Sequence, residues 1–357
     1  MVEISLRFLV FLGGIGIVVG TLVSAIKTFV LPRSAPDLLT RIVFLAMRQL
    51  FSFRLRWARS YRAQDAIMAF FAPFSLLMLL PIWYAAILIG YMCLYWAIGT
   101  DVYKAFQISG SSLFTLGYAV VDDLPRTVLI FSESALGLLL VALLIAYLPT
   151  MYAAFSRREV AVTLMEVRAG QPPSPVEMLK RYHRNHGLRQ LSEQWRMWET
   201  WFADIEESHT SLPALVFFRS PRPNHSWVTA AGVVLDTASL TLAAVDIPVD
   251  SQAALCIRAG YLALRSISDF FNVTYNPDPR PDDPISVTRA EFDAACDELV
   301  RNGVPLKADR ELAWRVFNGW RVNYDTVLLA LAGMIMAPEA PWSSDRAVNH
   351  RIPLRIR

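Results

Sequence analysis

Residues 111–119 read Ser111-Ser112-Leu113-Phe114-Thr115-Leu116-Gly117-Tyr118-Ala119. The stretch holds no carboxylate, imidazole, thiol or amine; its reactive side-chain groups are the hydroxyls of Ser111, Ser112, Thr115 and Tyr118. A ring of re-entrant loops from several subunits can also turn its backbone carbonyls toward a central ion. Gly117 can take the positive φ that such a backbone asks for. About a dozen mostly apolar residues precede Thr115, after Asp101. That is too short to cross a bilayer and long enough to dip in and return, with the non-helical backbone satisfied inside protein or around water.

The elements that would position this stretch lie on either side. Phe8–Ile26 has 19 residues without a charge, and 66–99 has 34 residues without Asp, Glu, Lys, Arg or His. Residues 129–155 carry only Glu133. About 20 apolar residues cross the hydrocarbon core as a helix. Three spans are therefore expected; the second is too long for one straight crossing and is expected to tilt, extend out of the membrane, or bend at Pro73 or Pro81. The motif Val23-Ser24-Ala25 loosely resembles a signal cleavage site, but removing the first span would leave an arginine-rich segment outside. The first helix is read as retained.

Charge sets the orientation. Residues 1–156 contain 11 basic and 7 acidic side chains, the remainder 23 and 24. The net +3 thus averages a basic membrane part and a nearly neutral polar part, and it is no argument for nucleic acid. Arg33, Arg41, Arg48, Arg54, Arg56, Arg59 and Arg62 lie between the first two spans; Asp101, Asp122 and Asp123 lie between the second and third. Basic loops stay in the cytoplasm. The expected placement is a multi-pass protein of the bacterial inner membrane, N-terminus outside and everything after residue 156 cytoplasmic. Pro36–Arg62 reads as an interfacial helix, with Leu39, Val43, Leu50 and Phe51 on one side and Arg41–Arg62 on anionic headgroups.

With spans and loop in this order, the sequence resembles the pore domain of tetrameric potassium channels: outer helix, pore helix (about 102–114), filter (115–119) and inner helix. The family filter is Thr-Val-Gly-Tyr-Gly. Leu116 for Val occurs within the family, and Glu133-Ser134-Ala135-Leu136-Gly137 followed by an aliphatic run resembles the inner helix of small two-span channels. The likeness covers about 90 residues. It implies a homotetramer, permeant potassium with no cofactor, no enzymatic activity, and ion coordination at Thr115, Leu116, Gly117, Tyr118 and Ala119. It also implies a Tyr118 ring packed against the pore helix. The departure is Ala119, where the family has its second glycine. If that position is left-handed, a Cβ costs about 1–2 kcal/mol per subunit. Three outcomes stay open: a selective channel with a relaxed outer site, a less selective cation channel, or a non-conducting homologue serving as membrane-anchored sensor or partner-binding protein.

Glu133 is a candidate support of the filter from behind, because a carboxylate in a span is costly without a partner. Gly137 and Pro149 are hinge or gate candidates in the inner helix. The expected division is a first transmembrane helix (1–32), a cytosolic interfacial helix (33–65), a pore domain (66–156), a connector (157–175), a helical cytosolic domain (176–340) and a tail (341–357). The class is all-α. In the cytosolic domain, helices are expected over 176–208, 226–245, 251–271, 288–302 and 308–335, with the Trp195, Trp198 and Trp201 stripe as core. Its ligand or protein partner is not named by any motif. His183, His186, His209 and His225 read as solvated surface, and Cys93, Cys256 and Cys296 as buried free thiols. No phosphate loop, nucleophile elbow or paired-carboxylate signature occurs.

Overall fold

The computed structural model describes residues 2–31 and 37–346; Arg33 and most of the expected tail lie outside them. Among the described residues the chain is helical with no strand, and four helices are long and apolar enough to cross a membrane. The chain divides into two compact units, the first formed by 1–59 and 67–153, the second by 60–66 and the chain from 154 onward.

In the first unit, α1 (Val2–Phe29) packs along α4 (Phe71–Ala97). Their backbones approach at Gly14 and Gly90, where a Cβ on Gly14 would stand 2.7 Å from the Gly90 carbonyl oxygen. Only small residues permit this approach between apolar helices. Trp83, fully buried, donates its indole N–H to Ser24 Oγ (3.1 Å).

The single helix expected over Pro36–Arg62 is instead two, α2 (Leu38–Leu55), capped by Asp37, and α3 (Tyr61–Met68). Phe44 and Phe51 of α2 pack edge-on to Phe71, while Leu38, Ile42, Leu50, Phe53 and Trp57 stay exposed. The helical path into α4 is interrupted at Ala69–Phe70, ahead of Pro73. Pro73 therefore falls in the first turn of α4, where a missing N–H costs little. α5 (Val102–Leu113) and α6 (Leu124–Ala169) follow; α6 runs unbroken through Pro149, and Gly170 takes φ +79° beyond its end.

The second unit is a helical bundle: α7 (Pro175–Arg184), α8 (Leu191–Ser211), α9 (Trp227–Ala244), α10 (Ser251–Phe270), α11 (Arg289–Arg301), α12 (Arg310–Arg321) and α13 (Asp325–Ile335). α9 is long and apolar enough to span a bilayer, but 94% of its apolar window is buried inside the protein. It is the core of the bundle. Trp195, Trp198 and Trp201 are buried as the stripe predicts. Thr288 and Glu291 form a capping box at α11, and the Arg346 guanidinium beside Glu291 holds that carboxyl down at about 2.

Two expected helices are broken. His186 at φ +54° and Gly187 separate α7 from α8. Asn323 turns its amide onto the carbonyls of Gly319 (2.9 Å) and Trp320 (3.3 Å), ending α12 where one helix was expected through 335. A side chain that competes for backbone partners in this way favours a helix end.

The bundle buries charges that no local pattern announces. Arg321, fully buried, binds Asp236 on α9, Asp325 Oδ1 (2.8 Å) and the Trp342 carbonyl, and Tyr324 donates to Asp236 Oδ1 (2.9 Å). Arg158, on the part of α6 in this unit, donates to the carbonyls of Leu215 (2.9 Å) and Phe218 (2.7 Å) and to Glu159 Oε1. Arg219 holds Asp65 of α3 together with the Ile335 carbonyl (2.6 Å). Of the thiols, Cys256 and Cys296 are buried and Cys93 is half-buried.

His209 and His225 are not solvated. His225 Nε2 lies 2.7 Å from Glu166. His209 is fully buried, with Nδ1 3.0 Å from the Ile205 carbonyl and Nε2 3.3 Å from Arg158 Nη1. Because the guanidinium only donates, Nε2 accepts and the proton sits on Nδ1. Burial, and then the Arg158 charge, hold its pKa well below 6.5. The neutral ring is thus the folded form. The stability it contributes is present above about pH 6.5 and is lost as pH falls below that value. Thermal melts of tryptophan fluorescence at pH 8 and pH 5.5 are expected to show the bundle weakening by up to about 1.4 kcal/mol per pH unit. His209→Gln, able to accept from Arg158 and donate to Ile205, should flatten that dependence. An equal slope in both proteins would remove His209 as its source.

Candidate ion-coordination site

Asp101 begins α5, its carboxylate accepting from the N–H of Tyr103 (3.0 Å) and Lys104 (3.4 Å). Such a cap satisfies orphan donors and fixes where the helix starts. α5 stops at Leu113, and residues 115–119 are non-helical. Thr115 takes φ +55° and Gly117 takes φ +71°, so left-handed residues alternate along the stretch. Ala119 is not among the positive-φ residues. The Cβ penalty expected at that position therefore does not arise; the residue held against its preference is Thr115, at about 1–2 kcal/mol.

Ser111 is what holds this backbone. Its carbonyl accepts from the N–H of Leu116 (2.8 Å) and Gly117 (3.5 Å). Its hydroxyl accepts from the N–H of Tyr118 (3.0 Å) and Ala119 (3.1 Å). Four consecutive N–H groups thus turn to one residue. In a planar trans peptide each N–H is antiparallel to the carbonyl of the residue before it. The carbonyls of Thr115, Leu116, Gly117 and Tyr118 therefore face away from Ser111 together. The alternation of left-handed and ordinary residues is what aligns successive peptide groups in this way. Tyr118 is exposed in the single chain, 59% of the residue's surface being open.

Glu133 lies behind α5. It is fully buried, accepting from Ser109 Oγ at Oε1 and from Tyr95 OH at Oε2 (3.1 Å). Its next neighbour, Ser134, donates to the Ser112 carbonyl (2.9 Å). Two adjacent residues of α6 therefore grip two serines of α5.

Gly137 sits one turn further along. A Cβ there would overlap the Leu113 carbonyl oxygen at the end of α5, and Tyr84 OH donates to the Gly137 carbonyl (2.8 Å). Gly137 is a close packing contact with the end of α5. Pro149 is exposed on α6 and meets none of these residues. At the far end of the stretch, Asp123 is committed to the Arg126 side chain and backbone N–H (2.9 Å), while Arg126 Nε also donates to Thr100 Oγ1 (2.8 Å). Asp122 is exposed.

Ser111 was legible only as one letter of the motif, and Ser109, Tyr95 and Ser134 were not singled out. The signal was available: Ser109, Ser111 and Ser112 are small hydroxyls clustered at the end of an apolar helix. Removing the Ser111 hydroxyl strands two backbone donors, at about 1–3 kcal/mol. If the carbonyls of residues 115–118 line a cation path, Ser111→Ala is expected to lower a potassium-over-sodium flux ratio in liposomes at least fivefold, with the chain still folded by circular dichroism. An unchanged ratio would show that the hydroxyl does not set the backbone.

Among the described residues no group of three His, Cys, Asp or Glu side chains is placed to hold a metal ion. The chain matches no family model, no curated protein and no solved structure.

Proposed function

We propose that four copies of this chain surround one axis and conduct potassium passively through the carbonyls of residues 115–118. The observation that carries the reading is the common direction of those four carbonyls, set by the convergence of four N–H groups on Ser111. A ring of such carbonyls exchanges for the hydration shell of a dehydrated cation, and multiple sites in line let ions leave by mutual repulsion. In this reading α4 and α6 are the outer and inner helices, α5 enters the membrane part-way, and α1 is an additional span packed on α4. The basic loops favour a second unit on the cytoplasmic side of an inner membrane. The exposed Leu38, Ile42, Leu50, Phe53 and Trp57 of the α2 region, beside Arg41–Arg62, lie in the headgroup layer. Pro149 is the gate candidate that remains after Gly137 is assigned to packing.

Liposomes carrying the purified protein test this. Potassium efflux above that of empty liposomes, with sodium slower, is the expected result. No flux from an assembled tetramer under any condition would favour the reading as a membrane-anchored sensor. Ala119→Gly probes the departure from the family filter. Since Ala119 is not left-handed, the substitution is expected to change the potassium-over-sodium ratio by less than twofold. A large gain in selectivity would show that the conducting state uses a different backbone at this position.

A further inference from the structure

Within the second unit, residues 244–246 and 305–307 run antiparallel. Lys307 N–H donates to the Ala244 carbonyl (2.8 Å), Asp246 N–H to the Pro305 carbonyl (2.9 Å), and Val245 pairs with Leu306. This clamp and the start of α8 border an open cavity of about 430 Å³. Its size falls in the range of small-molecule sites, about 300–1,000 Å³. Leu242, Ile247 and Pro248 give it an apolar side, and Ser192, Arg189, Asp250 and Lys307 are among its polar residues.

The polar groups are unevenly committed. Lys307 Nζ gives one of its three N–H donors to the Leu242 carbonyl (2.7 Å), leaving two. Arg189 is exposed at the rim. The one carboxylate in the lining, Asp250, is occupied as the cap of α10, accepting from Gln252 N–H (2.9 Å). The site therefore offers an apolar side, the uncommitted Lys307 donors and an excess of positive charge.

We propose that this cavity binds a small amphipathic organic anion, its apolar body against Leu242 and Ile247 and its carboxylate at Lys307 and Arg189. The binding claim does not depend on ion conduction. Where conduction holds, the same anion is the class of ligand through which the second unit would be addressed.

Isothermal titration of the full chain in nanodiscs, corrected with empty nanodiscs, tests the proposal with 1-naphthoate and its uncharged analogue 1-naphthalenemethanol. The expected result is saturable binding of one naphthoate per chain, at least fivefold weaker for the alcohol. Lys307→Met should weaken naphthoate about tenfold and leave the alcohol unchanged. Arg189→Ala, at an exposed position, repeats the charge test should Lys307→Met fail to fold. Ser192→Trp, which fills the cavity, should abolish both ligands while the melting temperature is retained. No saturable heat with naphthoate, equal affinity for the two ligands, or full naphthoate binding by a folded Ser192→Trp protein would each overturn the proposal.

Discussion

Gly137→Ala is expected to destroy potassium selectivity while the chain still folds and assembles. The added methyl overlaps the Leu113 carbonyl oxygen, which is backbone and has no rotamer to yield. α6 cannot retreat freely, because Tyr84 of α4 holds the Gly137 carbonyl and Ser134 holds the Ser112 carbonyl one turn away. The displacement therefore falls on the end of α5, two residues before Thr115. Overpacking of a well-filled contact costs about 1–3 kcal/mol. In the proposed tetramer that strain enters four times around one axis. Potassium flux should fall at least tenfold, and the potassium-over-sodium ratio should approach one. A hinge at this position would give the opposite pattern, a changed open fraction at constant selectivity. Leu138→Ala, at an exposed neighbouring position, is the control expected to retain both. A folded Gly137→Ala channel with unaltered selectivity would refute the packing assignment.

Arg321→Leu is expected to unfold the second unit more readily than any other single change considered. The guanidinium is fully buried and is shared between Asp236, 1% exposed, and Asp325. Removing it leaves two carboxylates facing one another in the bundle. Breaking a buried ion pair from one side costs about 3–5 kcal/mol, because the remaining charge keeps its desolvation penalty and loses its partner. Urea titration followed by tryptophan fluorescence reports the bundle, since Trp195, Trp198 and Trp227 are all buried there. The midpoint should fall sharply. The double variant Arg321→Leu with Asp236→Leu should recover part of the loss, since removing both partners of a buried pair is far cheaper than removing one. A single variant within about 1 kcal/mol of the parent, or a double variant that is simply additive, would mean that the pair is not coupled in the folded state.

What the sequence determined by itself is local. Apolar runs longer than 18 residues announced the long helices, and Glu133 was marked by its rarity in an apolar run. Each of these follows from residue type and spacing along a few turns.

Tertiary structure decided the rest. The bond between Arg321 and Asp236 joins residues 85 apart, and Asp236 stands in a helix whose composition alone reads as a membrane span. Gly137 shows a similar limit: a glycine in a helix fits a hinge or a close contact equally well, and only the Leu113 carbonyl beside it separates the two. Ser111 does so most sharply. Its type allows a cap, a packing contact or an anchor, and it becomes the anchor because the chain turns back after α5 and brings four N–H groups to one oxygen pair. Residue type only biases the backbone, as the left-handed Thr115 shows, and the identity of a buried polar group's partner depends on which distant segment the fold brings to it.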